Sequence, residues 1–406
     1  MTFTSFLKKF GYFPVFLLLL HLLNPFSKAH IFGYFLIFYF LLLRRNEIIR
    51  SIDRDAVILL IFSVVYSLID IFGENKGVQY LFIQSLFPFF FYLIGKHLMF
   101  KSLSKTSIIS IFLAMGIIYG LTSFSSVGVE LLKNGFAAGL LDRDVPIIWT
   151  GEKLKATGMS ASMIYFLILP GVIMTNKERL SLFWKLILLA LFAIAVLCTF
   201  RLGSRTGIAI IIITILFTII LQLRTKNNAQ KIKFLLQIAI IIFLVLKFVP
   251  FDLDADYLSV LGDRLQNPHG NSTESAGGRT DLWENAIGNL FAHPLGWKSS
   301  IYNHNLWLDI AMTNGILPLV LLMIFNVFNF INLRKVLFHK QSDLGINSLF
   351  LLFNLATFLQ FFVEPIYQGS FFLFSFYCLF QGCIKRYLEL SHYGNVYQKP
   401  KKKVRI

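Results

Sequence analysis

Residues 181–223 read SLFWKLILLALFAIAVLCTFRLGSRTGIAIIIITILFTIILQL. Two apolar runs, 181–200 and 206–223, flank the short insert RLGSR at 201–205. Each run is close to the roughly 20 residues that a bilayer-spanning helix needs. Unpaired backbone groups cost several kcal/mol each in hydrocarbon, so such runs are expected to be helices. The same pattern repeats outward in both directions. Apolar runs fall at 10–24, 29–43, 56–72, 78–95, 107–127, 157–175, 232–250, 305–332, 346–363 and 366–384. The first two are short, and the first carries Pro14 and His21. A hydrophobic fraction of 56%, with 45 phenylalanines in 406 residues, is more apolar surface than a soluble chain of this length can bury. Mean hydropathy is +0.69. The expectation is an all-α integral membrane protein of about twelve transmembrane helices, one polytopic domain over 1–406. Lys8 and Lys9 precede the first run, but no A-x-A-like cleavage site follows, so no cleavable signal peptide is expected.

The net charge of +17 is spread in alternate loops. Arg44, Arg45, Arg50 and Arg54 form the first group, then Lys96, Lys101 and Lys105, then Lys177 and Arg179. Arg224, Lys226, Lys231 and Lys233 follow, then Arg334, Lys335 and Lys340, and the tail ends in Lys399, Lys401, Lys402, Lys403 and Arg405. This is the positive-inside pattern, and it puts both termini in the cytoplasm. The basic tail is suited to anionic lipid heads. Nucleic acid is not an expected partner, because no basic domain exists outside these loops. Cys198, Cys378 and Cys383 lie in or near apolar runs without zinc-ligand spacing, and read as small buried hydrophobes.

The alternation leaves two sizeable loops on the outer side: a smaller one at 128–156 and a larger one at 251–304. The larger opens with FDLDADYL, either a short amphipathic helix or irregular chain. Its Asp252, Asp254 and Asp256 resemble the acidic motif of metal-dependent sugar-nucleotide transferases, but nucleotide sugars are absent outside, and a local charge cluster is the preferred reading. PHGNSTESAGG at 268–278 is a stretch of turn formers. Asp281 with Glu284 fits a capping box, after which Leu282, Ala286, Ile287 and Leu290 share one helical face until Pro294.

Four outer residues bear on chemistry. Arg201 and Arg205, spaced one helical turn apart, suit an anion, because guanidinium presents a planar donor fork to phosphate oxygens. The plain alternative for a lone Arg205 is an arginine snorkelling to the interface. Arg279 follows two glycines that permit close backbone approach; its alternative is pairing with Asp281 or Glu284. His304, flanked by Asn303 and Asn305 at the outer mouth of an apolar run, is placed to accept a proton near neutral pH; His269 and His293 lie in flexible or helix-end sequence. Inside the spans charge is sparse, with Asp70, Lys185, Lys247, Asp309 and Glu364 near ends or isolated. That weighs against a proton-coupled transporter, which needs ionisable groups deep in its bundle.

The ordered set of G-S-R-T-G at 203–207, G-x-R-x-x-x-W at 277–283, P-L-G at 294–296 and H-N at 304–305 resembles the O-antigen ligase/polymerase family, most strongly over 198–320. The resemblance implies an integral glycosyltransferase that takes glycan from an undecaprenyl-diphosphate-linked oligosaccharide on the outer face of the inner membrane. Matched residue by residue, the family's span-opening arginine falls on Arg205, its loop arginine on Arg279 and its histidine on His304. Arg143, in the smaller loop, is a further glycan or phosphate contact on this reading. Two acceptors remain open: the lipid A core for a ligase, or another lipid-linked repeat for a polymerase. HNLWLDIAMTNGILP and FFVEPIYQG look more like polymerases.

The expected reaction displaces undecaprenyl diphosphate from an anomeric carbon by an acceptor hydroxyl, with inversion. His304 would take the proton, while Arg205 and Arg279, supported by Arg201, would hold the leaving diphosphate. A diphosphate leaves readily, so neither metal nor other cofactor is expected. Membrane lipids and other polysaccharide-assembly proteins complete the expected partners. The rival class is a flippase for lipid-linked oligosaccharides, which would need a cationic cavity reachable from both sides.

Overall fold

The computed structural model describes residues 3–73, 78–99, 103–248, 252, 255–266, 279–297, 301–339 and 343–396. The chain is almost wholly helical. It opens with α1 (Phe3–Phe10), α2 (Tyr12–Leu23) and α3 (Ala29–Leu43), then α4 (Arg45–Ser51), α5 (Arg54–Gly73), α6 (Val78–Leu98) and α7 (Lys105–Asn134). A connecting segment holds α8 (Ala138–Leu141) and a small antiparallel pair, β1 (Val145–Pro146) with β2 (Lys153–Leu154). There follow α9 (Ala156–Leu167), α10 (Leu169–Thr175), α11 (Leu182–Arg201), α12 (Arg205–Arg224) and α13 (Asn228–Phe248). The next long connection carries α14 (Ser259–Gln266) and α15 (Arg279–Ala292). The chain then runs through α16 (Leu306–Asn314), α17 (Ile316–Leu337), α18 (Leu344–Phe361), α19 (Ile366–Gly369) and α20 (Phe371–Val396).

Among the described residues, seven helical stretches are long and apolar enough to cross a membrane: Gln79–Leu98, Lys105–Asn134, Ala156–Thr175, Leu182–Arg201, Arg205–Arg224, Ile316–Leu337 and Leu344–Phe361. Tyr12–Leu23 and Ala29–Leu43 are shorter apolar helices. The all-α membrane architecture read from the apolar runs is therefore the observed one. α6 and α20 pack so closely that a Cβ on Gly95 would fall 1.8 Å from the Leu379 carbonyl oxygen, and one on Gly382 1.9 Å from that of Tyr92. Small residues at such contacts let helix backbones approach and gain packing where lipid offers no hydrophobic drive. α11 and α12 instead turn Leu182, Phe183, Ile212 and Leu216 outward, as a lipid-facing helix does.

Two details differ from the expected spans. α7 continues to Asn134, past the expected end at 127. The run 305–332 is broken into α16 and α17 at Gly315, whose φ is 83°. The segment after α15 docks on this break: Ile316 N–H donates to the Pro294 carbonyl at 2.9 Å, and Trp297 N–H to that of Met312 at 2.8 Å. A Cβ at position 315 would lie 2.3 Å from the Pro294 oxygen, so only glycine fits both the left-handed φ and the contact. The capping box is also displaced. α15 begins at Arg279, which puts Asp281 inside the first turn, and Ala286 is buried while Ile287 on the proposed shared face is 56% exposed.

The ends of the bundle differ in chemistry. At one end Lys96 bridges Asp53 at 2.6 Å and Glu389 at 2.9 Å, Arg179 and Lys105 both hold Asp343, and Arg44 meets Glu47. The opposite end gathers the segment 135–155, the α11–α12 turn, α15, α16 and α19.

Candidate active site

The α11–α12 turn is built by Ser204. Its hydroxyl accepts from the Gly207 N–H at 3.1 Å, capping α12, and shares a hydrogen bond with Ser160 at 2.6 Å. This makes Arg205 the first residue of α12, half-buried, at a helix N-terminus whose free N–H groups themselves favour an anion. Arg143 donates from Nε to the Leu202 carbonyl at 2.9 Å, which brings the connecting segment over the same turn.

Arg201 goes elsewhere. It ends α11, so it and Arg205 belong to different helices rather than to successive turns of one. Its side chain is 1% exposed, 3.7 Å from Glu130 and within 3.4 Å of the Asp142 carbonyl. The expected paired surface of Arg201 and Arg205 is corrected: the leucine, glycine and serine between them turn the chain, and Arg201 points into protein.

Arg279 opens α15 and donates from Nη2 to Glu364 Oε1 at 3.3 Å. Burial lowers its pKa, with Glu364 opposing and the Arg205 charge adding to the shift. Burial also lowers that of Arg143, opposed by Asp144 and Glu364 and aided by Arg205 and Arg201. Arg143 and Arg279 thus each feel the charges of Arg205 and Glu364. Guanidinium stays charged through the neutral range regardless.

His304 is held in a strained backbone at φ 53°, a region that non-glycine residues seldom adopt. The strain is supported from both sides. Asn303 N–H donates to Asp309 Oδ1 at 2.6 Å and Asn305 N–H to Asp309 Oδ2 at 3.1 Å. The Asn305 side chain caps α16 through the N–H groups of Trp307 and Leu308, and Trp283 Nε1 donates to the Asn303 carbonyl at 2.8 Å. His304 Nδ1 is buried and faces Glu364 Oε2 at 3.6 Å, while the side chain remains 38% exposed. The ring therefore offers its other edge to the open side.

Glu364 thus stands between Arg279 and His304, one oxygen toward each, with its side chain 8% exposed. Sequence reading passed over it as an isolated charge in an apolar run. The available signal was Pro365, which cannot continue α18 and so marks a break where a carboxylate can leave the helical register. Asp309 and Trp283 were likewise missed as supports of the His304 loop. His293 follows α15 exposed, and His269 lies outside the described residues, as do Asp254 and the stretch 268–278. All three cysteines are buried and free.

Chemically, the cluster combines three guanidiniums at one end of the bundle with an imidazole backed by a carboxylate. The O-Antigen ligase family model matches residues 188–303. That match supports the O-antigen ligase/polymerase family. The matched stretch runs from α11 through α15 and ends one residue before His304; it contains Arg201, Arg205 and Arg279, while Arg143, His304 and Glu364 lie outside it. A search of curated proteins finds no match to the chain. The fold and this match together support a membrane enzyme of the O-antigen ligase/polymerase type.

Proposed function

We propose that the chain is a glycosyltransferase of the inner membrane that moves an undecaprenyl-diphosphate-linked glycan onto an acceptor hydroxyl at the periplasmic face, and that it is a polymerase of surface polysaccharide repeats. The observation that carries this reading is the shared carboxylate: Glu364 contacts both Arg279 and His304, and Arg143 and Arg279 both feel the charges of Glu364 and Arg205. Arg205 and Arg279 hold the diphosphate, and Arg143 reaches the same phosphate or the adjoining sugar. The acceptor oxygen attacks the anomeric carbon as the bond from that carbon to the diphosphate oxygen breaks. The acceptor proton passes to the exposed nitrogen of His304, and Glu364 stabilises the resulting imidazolium. The negative charge that develops on the leaving diphosphate is met by guanidiniums already in place, which costs no reorganisation. One displacement inverts the anomeric centre. Arg201 supports the end of α11 from within.

Detergent-purified chain mixed with a lipid-linked repeat, with and without lipid A core, tests the reading. Elongated lipid-linked glycan without core supports a polymerase. Transfer only when core is present supports a ligase. No transfer under either condition, with single repeats held on the cytoplasmic leaflet of mutant cells, identifies a flippase.

A further inference from the structure

The end of the bundle opposite the arginine–histidine cluster holds a cavity of about 790 Å³, within the ~300–1,000 Å³ range of small-molecule sites. Arg44, at the joint between α3 and α4, draws its walls together. Its Nη2 donates to the Lys9 and Phe10 carbonyls of α1 at 3.1 and 3.3 Å, and its Nη1 lies 2.8 Å from His97 Nε2 on α6. Lys96, the residue before His97, is buried and clamps Asp53 to Glu389 of α20. α1, α4, α6 and α20 thereby share one rim.

The lining is cationic. Lys9, Arg44, Arg50, Lys96 and Arg386 face Glu47, Asp53 and Glu389, a surplus of two positive charges among the described residues. The carboxylates are already engaged. Asp53 and Glu389 hold Lys96, Glu389 also meets Arg386 at 3.0 Å, and Glu47 lies 3.5 Å from Arg44 and 3.1 Å from His97. Arg50 differs. It stands exposed in the last turn of α4, on the cavity wall, and its side chain makes no hydrogen bond or ion pair among the described residues. An unengaged guanidinium in a cavity of net positive charge selects an anion, and phosphate oxygens match its donor fork. Beside the cavity the surface is apolar. Leu42 and Leu43, just before Arg44, are exposed, as are Ile49 and Ile52 on either side of Arg50, and Ile52 lines the cavity itself. A soluble anion leaves that surface uncovered, whereas a lipid places its head group in the cavity and its acyl chains along the leucines.

We infer that this cavity binds the phosphate head group of an anionic membrane lipid, with Arg50 as the cation that meets it and Leu42, Leu43 and Ile52 beneath the acyl chains. The site is separate from the cluster around His304, at the other end of the bundle, and stands whether or not the chain transfers glycan. A lipid bound there ties α4 to α1, α6 and α20, so its occupancy stabilises the folded chain. On the orientation expected from the basic loops this is the cytoplasmic leaflet, where basic pockets between spans take anionic head groups.

The test uses the full-length chain, stripped of lipid in a neutral detergent, with binding read by native mass spectrometry and by Tm. The probes are dioleoylphosphatidylglycerol, dioleoylphosphatidylcholine and glycerol phosphate. Phosphatidylglycerol should bind and raise Tm at concentrations where phosphatidylcholine, with the same tails, does neither. Arg50→Ala should weaken phosphatidylglycerol binding about fivefold, the loss of one basic contact, and Arg50→Glu should weaken it further. Lys233→Glu makes the same charge change on α13, away from the cavity, and should bind as the parent does. The Arg50 side chain holds no other part of the protein, so its variants should match the parent in Tm before lipid is added. Equal binding of phosphatidylglycerol by Arg50→Glu and Lys233→Glu overturns the site. So does equal binding of the two phospholipids by the parent, which would leave no requirement for an anion. Full displacement of phosphatidylglycerol by an equal concentration of glycerol phosphate would make the occupant a soluble phosphate and overturn the lipid.

Discussion

Glu364 Oε2 lies 3.6 Å from His304 Nδ1, across 60 residues of sequence, with that imidazole nitrogen buried and carrying no hydrogen bond. A carboxylate this close behind an imidazole stabilises the protonated ring by its charge, leaving the far nitrogen to meet substrate. The same carboxylate also accepts from Arg279. One residue therefore couples the proposed proton acceptor to the proposed anion site.

Glu364→Gln keeps the shape and removes the charge. Turnover in a transfer assay should fall roughly 10²-fold or more, within the range a positioned acid–base pair contributes. Glu364→Asp should recover part of it. Wild-type turnover in Glu364→Gln, at equal protein in the membrane, would leave Glu364 as a structural partner of Arg279.

The arginines should separate into two kinds. Arg205→Lys keeps charge but loses the planar fork, and Arg279→Ala loses both; each should cut turnover with insertion and expression near normal. Arg201→Ala should act on stability instead. It removes a fully buried guanidinium from beside Glu130 and the Asp142 carbonyl, a loss on the order of 1–3 kcal/mol, seen as a lower Tm. Normal Tm with lost turnover in Arg201→Ala would place it back among the phosphate contacts.

His304→Ala should abolish transfer, and His293→Ala and His269→Ala should keep most of it. In cells the form of the surface polysaccharide identifies the acceptor. A polymerase mutant displays lipid A core capped by one repeat, which is the expected result. A ligase mutant displays uncapped core and accumulates long lipid-linked chains. Normal long chains in a strain whose only copy carries His304→Ala would remove the catalytic role.

Sidedness is testable by cysteine labelling in a background lacking the native thiols. Cysteine at position 299 should react with an impermeant reagent in intact spheroplasts, and cysteine at 342 only after lysis; both positions lie outside the described residues. The reverse pattern would overturn the orientation and the periplasmic mechanism together.

The apolar runs, the basic loops and the order of Arg205, Arg279 and His304 were legible because each is a local property. In lipid a helix must satisfy its own backbone, so some twenty apolar residues specify one without reference to the rest of the chain. A contact between residues 85 apart, such as Arg279 with Glu364, depends on how each helix is rotated and where it breaks, and apolar runs that are hydrophobic all round carry no periodicity to report that. The same reason hid the fate of Arg201. Leu202–Ser204 turn the chain, with Gly203 at φ 56° and Ser204 capping α12, but only packing places the Arg201 side chain beside Glu130. Sequence by itself determined a helical membrane protein with a cationic, histidine-bearing end. Tertiary structure decided that Glu364 joins the arginine to the histidine and that Gly315 splits one apolar run in two.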